Sequence, residues 1–404
     1  MKRLSLMTCA AWLTCLAASA FAQERRTVLY NATVFTGKGA PIENGWVAFQ
    51  NGRITELGKG AFEKKGVKAI DLKGAWITPG LIDANTSLGL PSPHENEQSD
   101  EVTPQIRVLD AIDPESDDFR KALRHGVTSA YVAPGGFNVF GGIGAVIKTA
   151  GPSLGDRIVK AESGLRVTMG ALPSAGNGPP RFGMPTSIYN RRPTTRMAVV
   201  WEVRNAFYKA MQSRDSGKPV KLRDDKLAVL RKVLDKKLLL RMTARQEHDI
   251  RSALRLAEEF GIDIVLDGAS EAYYVLDYLI AAKTPVVLTP PSLQRDPIDR
   301  SRVQLDTAAL LAKKGVPLAL QTGQGLASLA LVHEAAFAVR QGLPRQAALE
   351  AITSVPARIL GIQDRVGTLA KGRDADIVVW SEHPLRRTTQ LRHVFIDGQE
   401  RQLR

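Results

Sequence analysis

Two hydrophobic rhythms divide the chain. Over residues 25–75 apolar and polar positions alternate in short runs, and 27–30, 31–35, 45–49 and 53–57 read as strands. Gly37-Lys38-Gly39, Gln50-Asn51-Gly52 and Gly58-Lys59-Gly60 punctuate them as turns. The same rhythm returns near the end, where 376–380 and 392–396 read as strands and Asp397-Gly398 as a hairpin turn. Between these ends the period changes. Strand-like runs at 75–84, 127–133, 145–149, 238–243, 263–266, 285–289 and 316–321 alternate with helical patterns. Those patterns cover 118–125, 196–213, 225–235, 247–260, 272–282, 307–314, 326–341 and 344–360. In 247–260, Ile250, Ala253, Leu254, Ala257 and Phe260 share one helical face, and Gly261 supplies the stop.

Strands alternating with helices of this length predict parallel βα units. About 280 residues of them, flanked by two β segments, predict a TIM-like (β/α)8 barrel with a small β-sandwich formed by the N- and C-terminal segments. The expected divisions are a leader at 1–22, sandwich at 23–76, barrel at 77–363 and sandwich again at 364–404. Residues 173–193, rich in Gly, Pro and Arg, are the most loop-like internal stretch.

Composition narrows the class. Of 404 residues, 44% are hydrophobic and 24% charged, which excludes a disordered or multi-span membrane chain. The first 22 residues carry Lys2 and Arg3, then an apolar run, then Ala20-Phe21-Ala22, the pattern of a cleavable secretory leader. A periplasmic or secreted protein with no integral membrane span after leader removal is expected. Both cysteines, Cys9 and Cys15, lie in the leader, so disulfide and thiol chemistry are excluded from the mature chain. The net charge of +14 is scattered rather than arranged as a stripe with aromatics, so no nucleic-acid partner is expected. Gly135 to Gly144 lacks the G-x-G-x-x-G order and reads as a close-packed loop, not a dinucleotide site.

Chemistry is expected where barrel strands end. The run Trp76-Ile77-Thr78-Pro79-Gly80-Leu81-Ile82-Asp83-Ala84 resembles the amidohydrolase superfamily, specifically its imidazolonepropionase-like branch. So do Gly126-Val127-Thr128-Ser129, Asn138-Val139-Phe140-Gly141-Gly142 and Lys371-Gly372-Arg373-Asp374-Ala375-Asp376. The resemblance covers nearly the whole chain after the leader. It implies the barrel fold, C–N bond hydrolysis and one or two divalent metals. Those metals would be held by histidines and carboxylates, with an acidic residue on strand eight moving the proton.

The positions that would carry this chemistry depart from the family pattern. Asn85 and Ser87 stand where its His-x-His would be. Thr243 or Arg245 replaces the strand-five His, Gly268 after Asp267 the strand-six His, and Thr322-Gly323 the strand-eight Thr-Asp. No bridging lysine is evident for strand four, a region expected around Glu202 and Arg204. Neutral oxygens hold a divalent cation poorly, so no family-type metal and no other cofactor is expected. The six His form neither His-x-His nor His-Glu-x-x-His.

The expected remainder is a pocket for a small polar ligand, lined by Asn85, Ser87, Arg241, Thr243, Arg245, Glu271 and Thr322. Asp83 and Asp267 are the candidates for acid–base work. The protein is expected to be catalytically impaired, or a binding or partner subunit in a homo-oligomer or beside a paralogous amidohydrolase. The alternative is an active hydrolase of amides, cyclic amides or dipeptides at an altered site, with zinc or another divalent metal.

Overall fold

The structure is a computed structural model. It describes residues 26–63, 65–92, 95–97, 99–175, 177, 192–215, 225–289, 298, 301–323 and 331–403. The leader at 1–22, most of the loop-like stretch at 173–193, His94 and the start of the helix expected at 326–341 lie outside the described residues.

Both ends of the chain build one seven-stranded sheet. Its strands are β1 (Thr27–Val34), β2 (Ile42–Gln50), β3 (Arg53–Lys59), β4 (Lys68–Pro79), β13 (Ile377–Trp380), β14 (Leu391–Ile396) and β15 (Gln399–Glu400), in the order β15-β14-β13-β4-β1-β2-β3. The sheet folds over a core of Leu29, Val34, Val47, Phe49, Ile54, Ile77, Ile377, Val379 and Phe395. Ile54 N–H donates to Arg373 O at 2.8 Å and Ala375 N–H to Gly52 O at 2.8 Å, so the two ends of the chain are laced together. This is the expected sandwich.

Eight further strands make the barrel. They are β5 (Leu81–Thr86), β6 (Val127–Val132), β7 (Phe140–Lys148), β8 (Ile158–Thr168), β9 (Leu240–Ala244), β10 (Ile264–Gly268), β11 (Val286–Leu288) and β12 (Leu318–Leu320), hydrogen-bonded in chain order. A parallel bridge from Thr86 to Gly323 closes the ring. Leu240, Met242, Leu266, Val286, Leu288, Leu318 and Leu320 join the large core that includes the outer helices. Ala84, Val265, Val287 and Ala319 pack together with Val355. The helix Glu247–Phe260 has its expected bounds, and Gly261 ends it at φ +62°.

Three expectations change. The run at 75–84 is two strands rather than one, because the sheet strand continues to Pro79 and the barrel starts at Leu81. The chain therefore crosses at Gly80, not at 76–77. A Cβ at Gly80 would lie 1.9 Å from Thr128 Oγ1, so only glycine passes this point. The barrel is not wholly parallel: β7 runs antiparallel to both β6 and β8. The segments joining these three strands are too short for crossover helices, and short connections require reversal. Finally, residues 140–144 belong to β7 rather than to a loop, and β8 was not anticipated at all.

The reversal of β7 carries Lys148 to the sandwich. Its Nζ donates to Asp374 at 2.8 Å, Asp376 at 3.1 Å and Asp397 at 2.6 Å, and Arg365 and Arg53 also pair with Asp374. Burial disfavours the ammonium, but the Asp376 and Asp374 carboxylates outweigh it and hold Lys148 above its ordinary pKa. No helix among the described residues is long and apolar enough to cross a membrane.

Candidate functional site

The barrel strands aim a polar set into their C-terminal ends. Arg241, on β9, is fully buried. Its Nε donates to Asp267 Oδ2 at 2.9 Å and its Nη2 to Asp267 Oδ1 at 2.5 Å, a bidentate pair between neighbouring strands. Nη2 also donates to Ala84 O at 2.8 Å, and the guanidinium stacks 3.9 Å from the Tyr131 ring centroid. Such a pair offsets a large desolvation cost only because both members are hydrogen-bonded. Burial opposes the guanidinium's charge, but Asp267 outweighs it and holds Arg241 above its ordinary pKa. Burial also pushes the Tyr131 phenol up to about 12.

Asp83 does different work. Its Oδ1 accepts from Thr322 N–H at 3.0 Å and Asn85 N–H at 3.2 Å, and its Oδ2 accepts from the Thr322 hydroxyl. Gly323 N–H donates to Asn85 O at 3.0 Å alongside. Asp83, Asn85 and Thr322 thus stitch the seam where the first and last strands meet. Burial lifts the Asp83 carboxyl to about 6, against the lowering effect of Thr322. No hydrogen bond links Asp83 to Asp267; each is held by its own donors.

Glu271 bridges loops. One oxygen accepts from Glu247 N–H at 2.8 Å and the other from Arg302 N–H at 2.7 Å. Arg245, half-buried, offers its carbonyl to Glu271 N–H at 2.9 Å, and Ser87, half-buried, caps a turn through Leu90 N–H. Thr243 lies in register with Asp267 and with Thr168. Among the described residues, Asn85 Oδ1, Thr243 Oγ1, Gln321 Oε1, Ser270 Oγ and Arg241 Nη1 are buried with no hydrogen-bond partner.

The strand missed from sequence brings further residues to the same end. Arg166 and Thr168 of β8 pair across the sheet with Arg241 and Thr243. Strand four is therefore Ile158–Thr168, and its terminal side chains are an arginine and a threonine. Glu202 and Arg204, in the region expected to hold the end of strand four, sit instead on the outer helix Arg196–Asp215, and Arg204 pairs with Glu259 at 2.8 Å. The placement of β8 by connection length, rather than by hydrophobic pattern, was the signal available.

Among the described residues, imidazoles do not converge here. His125 and His333 face one another at 6.1 Å between ring centroids, His383 packs on Trp76 at 4.5 Å, and His393 meets Glu400 at 2.6 Å. His248 lies beside Asp249 at 3.5 Å on the helix Glu247–Phe260. Among the described residues, no group of three or more His, Cys, Asp or Glu could hold a metal ion.

A family model described as Amidohydrolase family matches residues 318–401. Amidohydrolase tasK of Hapsidospora irregularis is 26% identical over 92% of this chain, which spans only 43% of that relative's length. An imidazolonepropionase of Cupriavidus pinatubonensis is 35% identical over 113 residues, a quarter of its length. A solved amidohydrolase of Thermotoga maritima is 33% identical, with a TM-score of 0.85 over 93% of this chain and 99% of that one. Strand order, closure and the return of the C-terminal segment to the sandwich agree with that relationship, and the chain belongs to the amidohydrolase family.

Proposed function

We propose that this chain uses the amidohydrolase barrel without the family's metal, as an exported protein whose strand-end pocket binds a small polar molecule. The observation that carries the reading is the Arg241–Asp267 pair. The family would place divalent cations at this end, held by imidazoles and carboxylates. The residues present do not fit that group. Asp267 gives both oxygens to a guanidinium, and Asp83 gives both to the seam. Asn85 and Thr243 offer neutral oxygens, which bind divalent ions weakly without anionic partners. The same neutral groups suit a polar organic ligand, because each is buried and has hydrogen-bonding capacity to spare. The leader-like residues 1–22 support export, and a role beside a metal-competent relative is compatible with binding alone.

A second reading is hydrolysis of C–N bonds at an altered site. It is favoured by the solved amidohydrolase relative and by the Asp83 carboxyl, which burial lifts to about 6, near the range useful for proton transfer. One experiment separates the two. Protein purified without chelator is analysed for metal and assayed on a panel of amides, cyclic amides and dipeptides. The proposed reading expects substoichiometric metal and no turnover. Stoichiometric zinc with turnover abolished by chelation would overturn it.

A further inference from the structure

The in-register pairs Arg166–Arg241 and Thr168–Thr243 set two arginines and two threonines side by side on neighbouring barrel strands. Arg166 is buried, at 4% exposure, like Arg241. Unlike Arg241, it has no carboxylate partner among the described residues. Its Nη1 donates to Pro134 O at 2.5 Å, and its Nε has no partner. The charged groups acting on it are Asp267, already bidentate to Arg241, and the guanidiniums of Arg241 and Arg245. A buried cation without a counter-charge is costly. Burial, with Arg245 and Arg241 adding to it, lowers Arg166 to about 10. Nearby, Thr168 Oγ1, Thr243 Oγ1 and Arg241 Nη1 are buried and unpartnered. Each of the three can donate. The facing loop packs closely on these groups at Gly136, where a Cβ would stand 3.0 Å from Arg166 Nη2 and 3.4 Å from Thr168 Oγ1.

We propose that Arg166, Thr168, Thr243 and Arg241 Nη1 form a carboxylate-binding site, in which fixed guanidinium charge serves where the family uses a metal ion. The inference rests on the reading that the pocket takes a small ligand without a metal. A carboxylate matches the planar donor edge of a guanidinium and carries one charge. A phosphate dianion would bring a second charge toward Asp267 in the same low-dielectric space.

The test is isothermal titration of the purified full chain with propionate, its neutral isostere propionamide and inorganic phosphate at matched ionic strength. Propionate is expected to bind about tenfold more tightly than propionamide, the scale of one charge-assisted pair over a neutral one. Arg166→Gln is expected to abolish that preference, Arg166→Lys to keep part of it, and Thr243→Val to weaken propionate severalfold. Equal affinity for propionate and propionamide, binding of neither, or tighter binding of phosphate overturns the inference. If Arg166→Gln fails to fold, the wild-type comparison and the Arg166→Lys variant still decide. Propionamide bound as well as propionate leaves the metal-free reading standing. Stoichiometric zinc in the same preparation sinks that reading instead.

Discussion

Gly144 and Gly164 face each other across β7 and β8, and together they make the floor on which the central stack of the barrel rests. A Cβ at Gly144 would strike the Tyr131 ring at 2.4 Å, and one at Gly164 would lie 2.9 Å from Arg241 Cδ. Tyr131 Oη donates to Gly164 O at 3.3 Å, fixing the ring beneath the guanidinium. Two absent side chains thus make room for one aromatic ring and one arginine stem. Gly144→Ala is expected to cost about 1–3 kcal/mol by overpacking. The cost should shrink in a Tyr131→Leu background, where the ring is gone. Urea denaturation of the four-member cycle measures it, and a cost unchanged by Tyr131→Leu would show that the ring is not the obstacle.

Arg241→Met leaves the Asp267 carboxylate buried without its guanidinium, and a loss of about 3–5 kcal/mol is expected. The double variant Arg241→Met/Asp267→Leu should recover most of it, because no lone charge remains. Chemical denaturation of the single and double variants checks this. If the double variant is as unstable as the single one, packing of the arginine stem rather than charge pairing governs the site.

Asp83 gives stability a pH slope of known sign. Its carboxyl rises from an ordinary 3.8 to about 6 through burial, so between these values the folded chain binds more protons than the unfolded one. Stability from this group therefore falls as pH rises from about 4 to about 6, by about 3 kcal/mol, and is level above that. Asp376, lifted to about 6 chiefly by burial, adds a slope of the same sign. Asp83→Asn keeps an acceptor for Thr322 N–H and should remove a large part of the slope in thermal scans from pH 4 to 7. An unaltered slope in that variant would assign the effect elsewhere.

Lys148 is the pin between barrel and sandwich. Lys148→Met is expected to cost about 3–5 kcal/mol, because Asp374 and Asp376 are left buried with less compensating charge. The C-terminal strands should then become the first sites cut in limited proteolysis with mass-spectrometric readout. Cleavage starting elsewhere would show that the sandwich is held mainly by its apolar core.

Much of this architecture is legible in the sequence, because it is written in periods. The face of Ile250, Ala253 and Ala257 has one reading, and the glycine after it marks the stop. The strand ends holding Asp83, Arg241 and Asp267 follow from the same alternation. The strand Ile158–Thr168 is hidden because Lys160, Glu162 and Arg166 interrupt its apolar pattern, and a charged residue in a strand reads as solvent-facing. Only its register beside β9 turns Arg166 inward. The pairing of Arg241 with Asp267 is likewise a property of neighbouring strands, 26 residues apart in sequence and adjacent in space. The direction of β7 follows from the short segments on both sides of it, which leave no length for a helix to return the chain, and with Ile158–Thr168 hidden the second of those segments has no legible end.

The Arg241–Asp267 pair also acts as a barrier to stepwise sequence change. Histidines substituted at 85 and 87 would add ligands to a barrel end whose Asp267 carboxylate is already claimed by a tethered cation. A metal would have to outcompete a guanidinium that never diffuses away. Removing the arginine first exposes a lone buried charge, and removing the aspartate first exposes another. Each single step between a guanidinium-filled barrel and a metal-filled one thus passes through a less stable chain.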